Sequence, residues 1–528
     1  MTSQRTKLTL FALLLANFVI NIDTTIVNVA LPTLARELHT TNSELQWIVD
    51  AYNLAFAALL LVAGSVSDRV GRKGMLLAGL AVFGLASIAG ALCATATELI
   101  AARAVMGVGA AMVFPSTLSI IANIYPGRSE RAKVIGLWGA VAGIAIALGP
   151  IIGGALLEHF TWPCVFYAMA PFAAVNGLLV ARYVPKSRDP MAPRSDFVGF
   201  VLATFGIAVL VFTLIEAPSY GWTGTRSLVG FAVAAVVLAI FVLWERRVIA
   251  PMLDVRLFLN SRFSAACAAV TVSYFTLFGF IFLVTQYFQF FRHYGPLSTG
   301  VHMLPVAFTV AIGSVVGTKL AVRIGTKLIV TVGMVAVAAF YVWASGDVPS
   351  TPYLTIFAQM SIFGIGMGFT AAPATEAILG VVPVAKAGVG SAVNDTTRLL
   401  GGTLGVAVIG SIFASIYSRE MLEKLPATLP HGAVDAASGS VGGALAVAQN
   451  LTNHGWTELA PVVRHAATGA FNHGMSTGCL VAAGAAAVGA VIVAAWLPSF
   501  PERRGTEATE APAPVVAPEP LQTEVPTV

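Results

Sequence analysis

Long apolar runs alternate along the chain with short breaks of charged and turn residues. Fourteen runs can be marked: 8–30, 45–66, 74–95, 98–121, 134–157, 164–184, 197–216, 227–245, 263–289, 298–318, 328–345, 352–372, 394–417 and 474–497. A helix needs roughly 20 apolar residues to cross a hydrocarbon core of about 30 Å. The runs do not alternate with period two, so they predict helices and not the strands of a barrel. The pattern predicts an all-α polytopic membrane protein with 14 transmembrane helices.

Composition agrees. Of 528 residues, 57% are hydrophobic and 10% charged, against roughly 25% charged in soluble domains. Mean hydropathy is +0.83. An ordinary globular enzyme is excluded. The net charge of +5 is topology information and not a nucleic-acid signal. With a cytoplasmic N-terminus, 22 of the 30 Lys and Arg residues fall on inner segments, 6 on outer segments and 2, Arg103 and Arg398, within spans. That satisfies the positive-inside rule and places both termini in the cytoplasm.

Arg5 and Lys7 before an apolar run imitate a signal peptide, but the run continues past Asp23 to Ala30 and reads as a retained spanning helix. Cys93, Cys164, Cys267 and Cys479 share no metal or redox spacing and read as small core residues. Residues 418–473 read as a long, mixed polar and Ala/Gly-rich outer connection. The Pro-, Glu-, Ala- and Thr-rich segment 499–528 reads as a disordered cytoplasmic tail.

Several segments carry more than hydropathy. "GSVSDRVGRK" (Gly64–Lys73) has a weaker echo in "GTKLAVRIGTK" (Gly317–Lys327), each after an outward-to-inward span. The echo lacks the acidic residue, having Ala321 or Val322 at its place. Such an echo is what a duplicated helical bundle leaves behind. The division is then residues 1–195 for a six-helix bundle, 196–260 for two inserted helices and a linker, and 261–498 for a second six-helix bundle. In the first loop, Gly64 and Gly71 permit a tight turn, while Asp68, Arg69 and Arg72 offer charge pairing; a plain charged turn is the simpler alternative.

Arg103 in "RAVMGVGAA" costs several kcal/mol in a spanning helix unless it faces protein or water, or snorkels to the interface near Glu98. In "LGPIIGGALLE", Pro150 removes a backbone donor, and Gly149, Gly153 and Gly154 permit close helix packing. In "VNDTTRLLGGTLGVAVIGS", Asp395 and Arg398 are three residues apart and can pair on one face, as a structural ion pair or cap or as part of a gate. His302 reads as a satisfied rim residue.

The acids that can lie within spans are Asp23, Asp50, Glu216, Glu376 and Asp395. Asp23 lies deepest, in "NIDTTIVNVALP", and an intramembrane acid is a functional hypothesis by default. Hydrocarbon penalises a carboxylate's charged form, so it can exchange a proton or be displaced from it by a lipophilic cation. Asn17, Asn21, Thr24 and Asn28 recur at helical spacing and are expected to form a polar stripe with it. Asp23 holds a proton, a substrate or both, or only stabilises the bundle. Asp50, one turn inside the second span, is either interfacial or a second carboxylate for cations.

These motifs, in this order, resemble the major facilitator superfamily, and within it the fourteen-span drug:proton antiporter branch. "DTTIVNVALP", "QWIVDAYNLAF" and "VNDTTRLLGGTLGVAVIGS" are similar to the branch's signatures of spans one, two and thirteen. The resemblance implies a major facilitator fold of two six-helix bundles plus two inserted helices. It implies proton coupling through Arg103, a loop (Gly64, Asp68, Arg69, Gly71, Arg72) that braces the bundles, and an antiporter signature in Gly149, Pro150, Gly153 and Gly154. Ala145 departs from that signature, where glycine is frequent.

The expected function is proton-driven export of amphipathic drugs or toxic compounds; export of one endogenous lipid or biosynthetic product is the alternative. No GxxxxGK[ST] phosphate-binding loop and no metal-ligand cluster is present in the sequence. No cofactor is expected, with a proton gradient as the energy source. The expected partners are a small amphipathic substrate, protons and membrane lipid, with no nucleic acid. The expected location is the cytoplasmic membrane, as a monomer.

Overall fold

A computed structural model describes residues 3–500 except 126–127, 189–195, 249–250, 252–254, 383–386, 427, 455 and 457. Arg194, Lys386 and the tail from residue 501 lie outside the described residues. The first seven helices are α1 (Ser3–Glu37), α2 (Asn42–Val70), α3 (Arg72–Ala91), α4 (Ala96–Ile124), α5 (Arg128–His159), α6 (Cys164–Tyr167) and α7 (Met169–Tyr183). Then come α8 (Phe197–Tyr220) and α9 (Thr225–Arg247). The remainder are α10 (Ser261–Gln286), α11 (Pro296–His302), α12 (Leu304–Ile324), α13 (Thr326–Ala344), α14 (Tyr353–Val381), α15 (Ala387–Lys424), α16 (His431–Gly439), α17 (Val441–Asn453) and α18 (Leu459–Trp496).

Among the described residues, 13 helical stretches are long and apolar enough to cross a membrane. A fourteenth, α2, is bent by 51° between Asn42–Leu60 and Val62–Val70. The described residues are therefore helical without strands, with 13 candidate spans, or 14 if the bent α2 is one span. Two spans are interrupted, α6 before α7 and α11 before α12. A π-helical turn, Tyr287–Phe291, closes the ninth span after α10.

Thr41 and Glu44 form a capping box at α2, and Thr95 and Glu98 form one at α4. Gly71 (φ 132°) ends α2 and begins α3; Gly325 (φ 102°) does the same for α12 and α13. Both positions need a backbone that L side chains avoid. The echoed loops are thus equivalent in backbone as well as in letters.

Helices α1–α7 pack together, α2 and α3 on α4, and α1 on α5 and α7. Helices α10–α15 and α18 make a matching group, with α12 and α13 on α14 and α10 on α15. The match extends to glycine contacts. A Cβ on Gly79 of α3 would lie 2.9 Å from the Gly109 carbonyl of α4, and one on Gly333 of α13 would lie 2.7 Å from that of Gly366 on α14. In a membrane, where apolar side chains gain little by leaving lipid, such close backbone approach carries the packing. The inserted α8 and α9 pair with each other, and α8 also meets α2 and α15. Within α9 only Ser227, Ala234 and Glu245 are buried among the described residues, so most of its circumference faces outward.

The two groups touch through α2 with α15 and α5 with α11. The contacts resolved there lie on the side that the basic residues assign to the exterior. The Ser411 hydroxyl donates to Gln46 Oε1 at 3.1 Å, and Gln289 Nε2 donates to the Val29 carbonyl at 2.8 Å. A Cβ on Gly154 would meet the Pro296 carbonyl at 2.4 Å.

The connection 418–473 is partly helical. Helix α15 continues to Lys424 and α18 begins at Leu459, fifteen residues before the run marked at 474; α16 and α17 fill part of the gap. The apolar face of this segment has somewhere to go. Tyr417 donates its hydroxyl to the Ala437 carbonyl, and Gly442 rests on Ala35 at the end of α1.

Candidate functional site: a buried ion pair joining α1 and α4

Every residue of α1 from Val19 to Leu31 is buried, so its polar side chains must find partners in protein. Asn17 Nδ2 donates to the Trp138 carbonyl at 2.8 Å, and Thr25 Oγ1 to the Ile146 carbonyl at 3.1 Å, both on α5. Asn21 donates to Asn17 Oδ1, and Asn28 Nδ2 to the Thr24 carbonyl. The expected stripe of Asn17, Asn21, Thr24 and Asn28 exists, but Asp23 does not belong to it. At 100° per residue Asp23 lies well round the helix from these four, and it points to α4.

There Asp23 Oδ2 accepts from Arg103 Nη1 at 2.6 Å, with both side chains 1% exposed. Arg103 also donates from Nε to the Ile48 carbonyl of α2 at 3.0 Å, and its guanidinium lies 4.3 Å from the Tyr52 ring centroid. Tyr52 donates its hydroxyl to the Ile20 carbonyl at 3.1 Å. One arginine therefore joins three helices. It does not snorkel, being buried and held by Asp23 and the Ile48 carbonyl, while Glu98, its expected interfacial neighbour, accepts from the Ala94 and Thr95 amides. Gly107 makes the junction possible, since a Cβ there would lie 2.4 Å from the Tyr52 carbonyl. Asp23 Oδ1, by contrast, is buried with no hydrogen-bond partner.

Asp50 is fully buried and not interfacial, and neither of its carboxylate oxygens has a hydrogen-bond partner. It shares a helix face with Gln46 and Asn53. Gln46 meets Gly410 and Ser411 of α15, so this face looks across the boundary between the two groups of helices. Asp23 and Asp50 are not brought into one another's hydrogen-bonding reach in any bond found.

The loop motif closes locally. Arg72 Nε donates to Asp68 Oδ1 at 2.6 Å, the Arg72 amide to the Ser187 carbonyl, and Lys73 Nζ to the Ala181 carbonyl. Gly64 faces Pro115 of α4, and Arg69 is exposed. Each partner found lies among the N-terminal helices or the segment following them.

The Gly-Pro-x-x-Gly-Gly stretch faces two ways. Gly149 and Gly153 admit Thr25, Ile22 and Ile26 of α1, while Gly154 and the Pro150 carbonyl meet Pro296 and Gly300 of α11. Asp395 and Arg398 do pair, at 3.5 Å, and Arg398 also lies 4.6 Å from the Tyr274 ring centroid. His302 is a satisfied rim residue, tilted against the Tyr294 ring, edge to face with Tyr353 and bonded to the Ser298 carbonyl. Sequence reasoning missed Tyr52 and Gln289. Tyr52 lies within "QWIVDAYNLAF" without being singled out there, and both residues act on backbone of a helix distant in sequence.

The chain is an all-helical, multi-span membrane protein with buried, paired charges on its central helices, and its family and relatives make it a transporter and not an enzyme. It belongs to the Major Facilitator Superfamily, whose sequence profile matches residues 13–406. It is 35% identical over 482 residues to the multidrug efflux pump LfrA of Mycolicibacterium smegmatis, covering 91% of this chain and 94% of that one. It is 33% identical over 423 residues to the multidrug resistance protein Stp of Mycobacterium tuberculosis (80% and 79%). It is 34% identical over 394 residues to a methylenomycin A resistance protein of Streptomyces coelicolor (75% and 83%). Among solved structures, a bacterial homologue of the human lysosomal transporter Spinster, in an inward-facing and unoccupied conformation, superposes with a TM-score of 0.68. It is 15% identical, over 94% of this chain and 98% of that one, and shows a common fold.

Proposed function

We propose that this protein is a proton-coupled antiporter that exports amphipathic compounds across the cytoplasmic membrane by alternating access, as a monomer with both termini cytoplasmic. The observation that carries the reading is the Asp23–Arg103 pair. One carboxylate oxygen is bound to Arg103 and the other is unpartnered, so a proton can add at Oδ1 while Arg103 stays in place. Adding it removes the negative charge and with it the Coulomb tie between α1 and α4. Arg103 keeps its bond to the Ile48 carbonyl and its place by Tyr52, ready to re-form the pair when the proton leaves.

Asp50 supplies a second buried acid, on the face of α2 that looks toward α15. A cationic substrate that reaches it gains a counter-charge in a medium where charge pairs are strong. The relatives' names, drug efflux and antibiotic resistance, support export of small, foreign or toxic molecules. The proton gradient is the energy source in this reading, with no bound cofactor. The test is pH-gradient-driven uptake of amphipathic substrates into inverted vesicles. Asp23→Asn is expected to abolish it with insertion intact, and unchanged transport by that variant would sink the assigned role.

A further inference from the structure

Three segments meet at one end of the N-terminal helices, where α1 and α3 begin and α7 stops. The Thr9 hydroxyl of α1 lies 3.0 Å from the Tyr183 carbonyl. Lys73 Nζ of α3 donates to the Ala181 carbonyl at 2.7 Å, and the Arg72 amide to that of Ser187 at 3.0 Å. The segment that leaves α7 is thus threaded between the starts of α1 and α3. This threading gathers charge of one sign. Residues 3–9, 64–75 and 181–189 hold eight Lys and Arg against two acids, Asp68 and Asp189. Asp68 is taken by Arg72, and Asp189 lies outside the described residues.

Arg5, Lys73 and Lys186, one from each segment, lie close enough that the Lys73 ammonium is repelled by both of the others. Among the described residues none of the three forms an ion pair. Lys73 has spent one N–H on the Ala181 carbonyl and keeps two, while Arg5 and Lys186 are exposed. Like charges held together by the backbone cost energy that an anion beside them would recover. The depth of the cluster decides which anion arrives. The apolar stretches here run Gln4–Glu37, Arg72–Ala91 and Cys164–Tyr183, so each cation stands within three residues of the end of a span, at the level of lipid headgroups. The flank beside it is apolar and open. Val175 and Leu178, one turn apart on α7, are 52% and 71% exposed and offer a surface for an acyl chain.

We propose that Arg5, Lys73 and Lys186 form a binding site for the phosphodiester anion of an acidic phospholipid, with an acyl chain along Val175 and Leu178 of α7. The three cations select a headgroup of net negative charge over a zwitterionic one, since each Lys or Arg near a bilayer surface favours acidic lipid by about fivefold. Inorganic phosphate shares the anionic chemistry but has nothing to place on the exposed α7 face, which favours the lipid. The proposal concerns binding alone and does not depend on the direction or coupling of transport.

The test is native mass spectrometry of the purified full-length protein in detergent, titrated with dioleoyl phosphatidylglycerol or, as the zwitterionic control, dioleoyl phosphatidylcholine. Tighter binding of phosphatidylglycerol is expected. Arg5→Gln/Lys186→Gln alters two exposed side chains and should weaken it by roughly 25-fold, about fivefold per cation, with phosphatidylcholine unchanged. Arg5→Lys/Lys186→Arg, which keeps both charges, should restore it. Lys319→Gln/Arg323→Gln removes two exposed cations from the end of α12 and should change little. An equal loss there would mean that overall charge, and not this site, selects the lipid, and would overturn the proposal. Phosphatidylglycerol binding that is no tighter than phosphatidylcholine, or unmoved by Arg5→Gln/Lys186→Gln, would overturn it as well. Displacement of the lipid by inorganic phosphate at equal concentration would assign the site to a free phosphate anion and dismiss the lipid.

Discussion

Asp23 on α1 and Arg103 on α4 stand 80 residues apart in sequence and 2.6 Å apart in space, both shut away from solvent. Removing one partner of such a pair leaves a buried charge uncompensated, at a cost of about 3–5 kcal/mol, whereas replacing both by apolar or neutral groups is far cheaper. Arg103→Ala is therefore expected to lower the melting temperature of the purified protein more than the double variant Asp23→Asn/Arg103→Met. Neither should transport. A double variant that melts below Arg103→Ala would show that the pair's charges are not what stabilises this junction.

The contact between α5 and α11 makes a second prediction. A Cβ at Gly154 would come within 2.6 Å of the Leu297 Cα and closer still to the Pro296 carbonyl. Backbone cannot yield as a flexible side chain can, so Gly154→Ala is expected to wedge the two helix groups apart at the outer rim. A cysteine introduced at Leu297 should then react faster with a membrane-impermeant maleimide added outside. Equal labelling rates with and without the Gly154→Ala substitution would count against it.

Two nearby glycines should respond in opposite directions. Gly71 has φ 132° with nothing within 4 Å of an added Cβ, so Gly71→Ala meets only backbone strain, worth about 1–2 kcal/mol. Gly74 is equally uncrowded but helical, and Gly74→Ala should be neutral or stabilising by up to about 1 kcal/mol. Thermal melts of the two variants decide this, and equal shifts would refute the assignment of strain to Gly71.

Asp347, in the α13–α14 loop, gives a pH dependence. Desolvation raises its carboxyl in the folded protein above the ordinary value, against the opposing Gln359 hydrogen bond, so the folded state binds the proton more readily than the unfolded one. Stability that the acid costs at neutral pH is regained as pH falls through the raised value toward the ordinary one of about 3.9. Asp347→Asn lacks the titrating group. It should melt higher than the parent at about pH 7.5, with the gap closing as pH approaches about 4. A gap that widens on acidification would reverse the sign of the argument.

Asp50 is a case of burial without pairing. Asp50→Asn removes a buried acid that has no hydrogen-bond partner and is expected to fold at least as well as the parent. In vesicle assays it should lose transport of cationic substrates by more than that of neutral ones, and equal losses would place Asp50 outside cation recognition.

Much of this was legible in the letters. Hydropathy sets the approximate number of spans because lipid forces each crossing segment to satisfy its own backbone, which makes the fourteen apolar runs into 13 or 14 candidate spans among the described residues. The turn at Gly71 and the caps at Thr41 and Thr95 are likewise local, needing only neighbours within four residues. The sequence also marked Asp23 and Arg103 as costly where they stand. It could not say that each resolves the other's cost, because that depends on how α1 rotates against α4 and on Gly107 letting Tyr52 close beneath the guanidinium. The same holds for Asp50, whose distance from a helix end suggested an interface but which the fold buries fully. It holds for 418–473, where helices form because α1, α15 and α18 offer surfaces to cover. The chain by itself determined which segments cross the membrane and which residues are anomalous there; the side on which each anomaly finds its partner was decided only by the rotation and close approach of helices far apart in sequence.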